Sequence, residues 1–213
     1  MLVAPGENPF ADTSAEGVIA HEYGHHVASF RSNAPWTAVD TGTKRWASYI
    51  QVCSRTQRGE LFPGAESLPN YRLNPGEGFA EVYRLLNERR LGLAESPWGV
   101  VSNALLPDDT ALSLVEQDVL QPWTGTTATK FSGTRNHSYS VATPLDGTLT
   151  VRLTAAGKKT RYRVDVLLGS RRVVRKTGAS VAAPTTICGQ RTAQIRLTRT
   201  AGTGGYALTV IKP

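Results

Sequence analysis

Cysteine is nearly missing from this chain, with two residues, Cys53 and Cys188, in 213. Their separation excludes a CxxC metal clamp and leaves two readings, one long-range disulfide or two buried thiols. Apolar runs of about 18 residues are absent as well, so no membrane span is expected. The start lacks the basic flank and apolar stretch of a signal peptide, since Met1–Ala4 runs straight into Pro5, Gly6 and Glu7. The chain is therefore either cytoplasmic or lacks its export segment. Acidic residues are scarce in one half only. From Thr126 onward there are 15 Lys+Arg against 2 Asp+Glu, whereas up to Gly125 there are 9 against 15. Such asymmetry predicts two modules with different surfaces. Few aromatics interleave with the basic residues, which argues against a nucleic-acid stacking platform.

What is present is enough for a folded protein. Hydrophobic residues make up 40% of the chain, and the length suits one large domain or two small ones. The first half reads as helical. Thr13 or Ser14 caps a first helix with Glu16 in its first turn and Val18, Ile19, Val27, Ala28 and Phe30 on its buried face. A second helix is predicted from about Lys44 to Arg55, with Trp46, Tyr49, Ile50 and Cys53 inward. A third opens at Asn74-Pro75-Gly76-Glu77, carries apolar Phe79, Val82, Leu85 and Leu86, and ends at Gly92. Asp108 or Asp109 caps a last helix reaching Leu120. Trp36, Trp46, Trp98 and Trp123 all fall in this half and read as packing residues.

The period then changes. Thr148–Leu153, Tyr162–Val166, Ala193–Leu197 and Tyr206–Val210 alternate polar and apolar residues. Asp146-Gly147, Ala156-Gly157, Leu168-Gly169 and Gly204-Gly205 supply turns between them. Antiparallel strands in a sandwich or jelly roll are expected. The fold expected overall is α+β, a mainly helical domain over 1–124 followed by an all-β sandwich/jelly-roll domain over 126–213. Lys158, Lys159, Arg161, Arg163, Arg171, Arg172, Arg175 and Lys176 make the second module basic. Its two readings are a solvated face and a surface for an anionic polymer or acidic glycan.

The chemistry concentrates in His21-Glu22-Tyr23-Gly24-His25, an H-E-x-x-H motif. Two histidines at i and i+4 share one helix face and reach one metal ion, and Glu22 between them can take a proton from a metal-bound water. Catalytic zinc normally has three protein ligands. His26 points some 100° round the helix, His137 lies in the β module, and Ala28 and Arg31 occupy the positions of an H-E-x-x-H-x-x-G-x-x-H extension. The natural third ligand is Glu77, at the start of the next strongly amphipathic helix. Glu81, four residues on, shares its face and can accept a hydrogen bond from a ligand imidazole.

This pair of motifs resembles the Glu-zincins (gluzincins). Glu77-Gly78-Phe79-Ala80-Glu81 is similar to the corresponding segment of the anthrax lethal factor-type peptidases. The likeness covers about residues 15–90 and implies a zincin-like domain. It implies zinc held by His21, His25 and Glu77, with Glu22 as general base. It also implies a nearby tyrosine, Tyr71, completing the electrophilic side of the site. Zincin domains usually carry a β-sheet ahead of the active-site helix. Only 20 residues precede His21, so a truncated or minimal zinc endopeptidase acting on peptide or protein substrates is expected. The β module resembles the pre-peptidase C-terminal domains of secreted bacterial proteases, which implies a secreted or cell-surface protein and a disulfide. An alternative is an inactive zincin-like protein that works through its basic module.

Overall fold

The computed structural model describes residues 14–213. The readings made on Met1–Glu7 and on Thr13 as a cap lie outside them. The chain divides between Thr124 and Gly125 into two compact units, each with a hydrophobic core of its own.

In the first unit α1 spans Ala15–Ser29, with Ser14 as its N-cap, its hydroxyl accepting from the Gly17 amide at 3.0 Å. The buried stripe is Gly17, His21, Gly24 and Ala28, steps of three and four that mark one helix face. Ile19 and Phe30, expected inward, are 42% and 70% exposed, because that stripe rather than the most apolar one meets the neighbouring helix. Two-residue strands β1 (Ser32–Asn33) and β2 (Trp36–Thr37) form a small ribbon, followed by α2 (Ala38–Thr41).

The helix expected from Lys44 to Arg55 is broken into α3 (Lys44–Tyr49) and α4 (Val52–Gln57) by Gln51, which sits at φ 60° in the left-handed region. Thr43 offers no side-chain cap to α3. Instead Asp118, from the distant α6 (Asp109–Leu120), accepts from the amides of Arg45 at 2.8 Å and Trp46 at 3.3 Å. A 3-10 turn at Asn70–Leu73 leads into α5 (Pro75–Leu91), capped by Asn74, with proline in the first turn and Gly92 ending the helix at φ 65°.

The second unit is a double sheet. The strands are β3 (Thr127–Gly133), β4 (His137–Ala142), β5 (Gly147–Ala155), β6 (Arg161–Leu168), β7 (Arg171–Gly178), β8 (Ser180–Ile187), β9 (Thr192–Ala201) and β10 (Tyr206–Lys212). They order as β3-β10-β5-β8 and β4-β9-β6-β7, all antiparallel, the strand arrangement of a jelly roll. Alternation places Leu149, Val151 and Leu153 of β5 against Val164, Val166, Ile195 and Leu197 in a dry core. Each such aliphatic side chain contributes about 1.5–3 kcal/mol of burial free energy.

The expected α+β fold led by a mainly helical zincin-like domain is corrected. The described residues form ten strands against six α-helices, and three of those helices are of six residues or fewer. The chain is mainly β with a few helices and antiparallel sheets. Two physical causes shift the balance. Gly42 and the left-handed Gln51 cut the helical segments short, while polar–apolar alternation carries most of 127–212 into strands. The sheet that a zincin places before its active-site helix has no counterpart among the described residues.

Candidate metal centre

Gly24 determines how closely α1 can lie on α5. A Cβ at that position would fall 2.8 Å from Ala80 Cα and 3.2 Å from Tyr83 Cβ, so only glycine permits this approach. Gly76 plays the same part at the start of α5, where a Cβ would stand 2.2 Å from the Val39 carbonyl oxygen. With the helices in contact, His21 and His25 on α1 face Glu77 in the first turn of α5.

Three ligand atoms converge there. His21 Nε2 and His25 Nε2 are 3.2 Å apart. Glu77 Oε2 lies 3.3 Å from each of them. The triangle is therefore nearly equilateral. A tetrahedral zinc with ligands at about 2.0–2.1 Å has ligand–ligand edges of about 3.3 Å, so the donor set fits that ion in type and in spacing. Among the described residues this is the one His/Cys/Asp/Glu group close enough to hold a metal.

Neighbouring groups orient the triangle. Tyr71, on the 3-10 turn, donates its phenol proton to Glu77 Oε2 at 2.8 Å. Glu81 Oε1 lies 3.2 Å from His21 Nδ1, although the angle is poor for a hydrogen bond and leaves that buried nitrogen without an aligned acceptor. Glu81 is itself held by Arg84, 2.5 Å away, whose other arm meets Glu88 at 2.6 Å. Glu88 accepts from the Ser96 hydroxyl at 2.8 Å and the Ser96 amide at 3.1 Å. Glu81, Arg84 and Glu88 are all buried.

These contacts perturb the titrations. Burial disfavours a charged His21, but the carboxylates of Glu77 and Glu81 outweigh it and push its pKa up to about 9. Burial likewise works against ionised Glu77, yet His21, His25 and Tyr71 hold its carboxyl well below the usual range. Burial and the Glu77 carboxylate push the Tyr71 phenol up, so it remains a proton donor.

The residues expected from the sequence are thus distributed as follows. His21, His25 and Glu77 meet, and Tyr71 touches them. Glu22 is exposed on α1, close enough to raise the Tyr71 pKa through its charge. His26 stands apart, its ring tilted against Tyr23 and edge-on to Phe30, and His137 lies on β4. Sequence reasoning missed Arg84, Glu88 and Ser96. The signal was Glu81-x-x-Arg84-x-x-x-Glu88, where i,i+3 and i,i+4 spacing puts two acids on one arginine. The cysteines are both disulfide-bonded.

Fold and site together define a mainly β chain with a His–His–Glu cluster between two of its helices. No protein-family model matches this chain, and no curated protein matches it. Solved structures give fold-level likeness only. The Yersinia pseudotuberculosis-derived mitogen aligns over 41% of this chain and 86% of its own, at 9% identity and TM-score 0.29. The nucleoplasmin-like N-terminal domain of Drosophila FKBP39 aligns over 42% of this chain and 91% of its own, at 13% identity and TM-score 0.30. The SPBc2 prophage-derived protein YomS aligns over 42% of this chain and 97% of its own, at 12% identity and TM-score 0.29. None of the three is named as a peptidase, and likeness at this level carries no argument about activity. No helix among the described residues is long and apolar enough to cross a membrane.

Proposed function

We propose that this chain is a zinc-dependent peptidase whose zinc is held by His21, His25 and Glu77. The observation that carries the reading is the near-equilateral 3.2–3.3 Å triangle of two imidazole nitrogens and one carboxylate oxygen. Its support from sequence is the resemblance of the H-E-x-x-H and Glu77–Glu81 motifs to the Glu-zincin pair. A bound zinc would supply Lewis acidity, lowering the pKa of a water toward neutrality.

The chain's own residues do the rest. Glu22, next to His21 and exposed on α1, accepts the proton of the attacking water and returns it to the leaving amine. Tyr71 steadies the Glu77 carboxylate through its 2.8 Å hydrogen bond, and its raised pKa keeps the phenol protonated, so that on turning from Glu77 it can give that one hydrogen bond to the carbonyl oxygen as negative charge develops. Glu81 stands 3.2 Å from His21 Nδ1, where its negative charge favours the Nδ1-protonated tautomer that leaves Nε2 free for the metal. The substrate is a peptide or protein, and the exposure of Glu22 places its carboxylate where a substrate from solvent can reach it.

The test is metal analysis beside hydrolysis of an unfolded protein. One zinc per chain, lost in Glu77→Ala, supports the centre. Glu22→Gln should keep the zinc and lose about 10²–10⁴-fold in rate. Zinc-free protein under saturating metal would overturn the reading.

A further inference from the structure

We propose that the outer face of the β4-β9-β6-β7 sheet is a docking surface for an anionic polysaccharide, built from an arginine fan organised by Asp165. Register sets which side chains face outward. Asp165 of β6 lies opposite Arg175 of β7 and Arg196 of β9, and Arg196 lies opposite Ser138 of β4, so one row crosses all four strands. Neighbouring outward rows, about 7 Å away along the strands, add Arg161, Arg163 and Arg172. Five arginines thus share a face whose only acid is Asp165.

Asp165 is spent inside that face. It is 8% exposed, with Arg175 Nε at 2.6 Å, Arg163 Nε at 3.3 Å and Arg172 Nε at 3.8 Å. Burial opposes its ionisation, but the arginines outweigh it and lower its pKa. One carboxylate therefore gathers three guanidiniums that keep 37–49% of their side-chain surface in solvent. Arg161 and Arg196 are exposed beside them. The other acid from Thr126 onward, Asp146, is buried and bound to Arg191, so no second carboxylate of this unit offsets the fan. The opposite sheet differs, with Lys130 and Arg152 flanking Thr209 as its outward cations.

The chemistry selects the ligand class. Every cation of the face is arginine, whose planar fork pairs bidentately with carboxylate and sulfate. Between the arginines stand Ser138, Thr177, Thr198 and Gln194, donors and acceptors suited to sugar hydroxyls. No outward residue of these four strands is aromatic, so bases would find no stacking partner.

The experiment uses the full chain on an immobilised sulfated polysaccharide, heparin, with single- and double-stranded DNA as competitors. Arg161→Ser/Arg172→Ser/Arg196→Ser removes three charges from the face while leaving Asp165 its two nearer partners. Lys130→Ser/Arg152→Ser/Lys158→Ser removes three charges elsewhere. Circular dichroism checks that both fold. Heparin affinity should fall roughly tenfold or more in the face variant and less than about threefold in the control, with elution at lower salt. Equal weakening in both variants would reduce the effect to net charge and overturn the dock. So would the absence of retention at about 0.1 M salt, or tighter binding to DNA than to heparin.

Discussion

At the level of single residues, the centre depends on groups that touch no ligand atom directly. Arg84 is the clearest, being 1% exposed between Glu81 and Glu88. Removing it strands two buried carboxylates, so Arg84→Leu should cost about 3–5 kcal/mol. It should also weaken zinc binding, because Glu81 loses the partner that aims it at His21. Urea unfolding gives the first quantity and chelator competition the second. Arg84→Lys, which keeps the charge but not the fork, should retain stability better than zinc affinity; equal loss of both would mean a merely structural arginine. Gly24→Ala tests the helix approach. Its Cβ would meet Ala80 Cα at 2.8 Å, and an overpacking cost of about 1–3 kcal/mol is expected with reduced zinc content. Unchanged zinc content would mean that the triangle does not require this approach.

His21 also gives the metal-free protein a pH dependence of known sign. Its folded pKa of about 9 stands above the unfolded value of about 6.5. A raised folded pKa stabilises fully below the unfolded value, and that contribution is lost as pH rises through about 9. The difference amounts to roughly 3 kcal/mol. The urea midpoint of chelator-treated protein should therefore drop between pH 7 and 10, while His21→Gln stays flatter across the same range. A midpoint as steady in the parent as in the variant would contradict the coupling of His21 to Glu77 and Glu81.

At the scale of elements, Asn74 links two segments. Its Oδ1 accepts from the Gly76 amide at 2.9 Å and the Gly64 amide at 3.3 Å, and its Nδ2 donates to the Ala65 carbonyl at 3.1 Å. One side chain thus caps α5 and clasps the loop that leads to Tyr71. Asn74→Ala should cost about 1–2 kcal/mol and weaken zinc binding more than a solvent-facing α5 change such as Arg89→Ala; zinc affinity equal in the two variants would refute the link.

Much at this scale was legible in sequence. The i,i+4 histidines, the proline-led start of α5 with Glu77 in its first turn, and the alternation of β5, β6, β9 and β10 follow from local periodicity. The rest is non-local. The break at Gln51 requires a left-handed residue that no glycine or asparagine announces, and the cap of α3 comes from Asp118, 74 positions beyond Lys44. Periodicity also gives the period of each segment but not how much of it persists, so the balance of strand over helix was misjudged.

Across the whole molecule, the two cores share no residue, and the chromophores are divided between them. All four tryptophans precede Gly125, whereas the aromatics of the second core are Tyr139, Tyr162, Tyr206 and Phe131. Trp46 is fully buried, edge-on to Phe79 at 5.6 Å between ring centroids, and Phe79 lies two residues beyond Glu77 on α5. Tryptophan emission therefore reports the unit that carries the cluster. A ligand that binds only the folded state at a free concentration of 100 times its Kd adds about 2.7 kcal/mol. Zinc should raise the tryptophan-monitored urea midpoint accordingly, and a chelator should return it to the metal-free value. The same titration in Glu77→Ala should show no zinc-dependent shift, since one corner of the triangle is gone. A shift of equal size in that variant would locate the metal elsewhere and remove the basis for assigning peptidase chemistry to His21, His25 and Glu77.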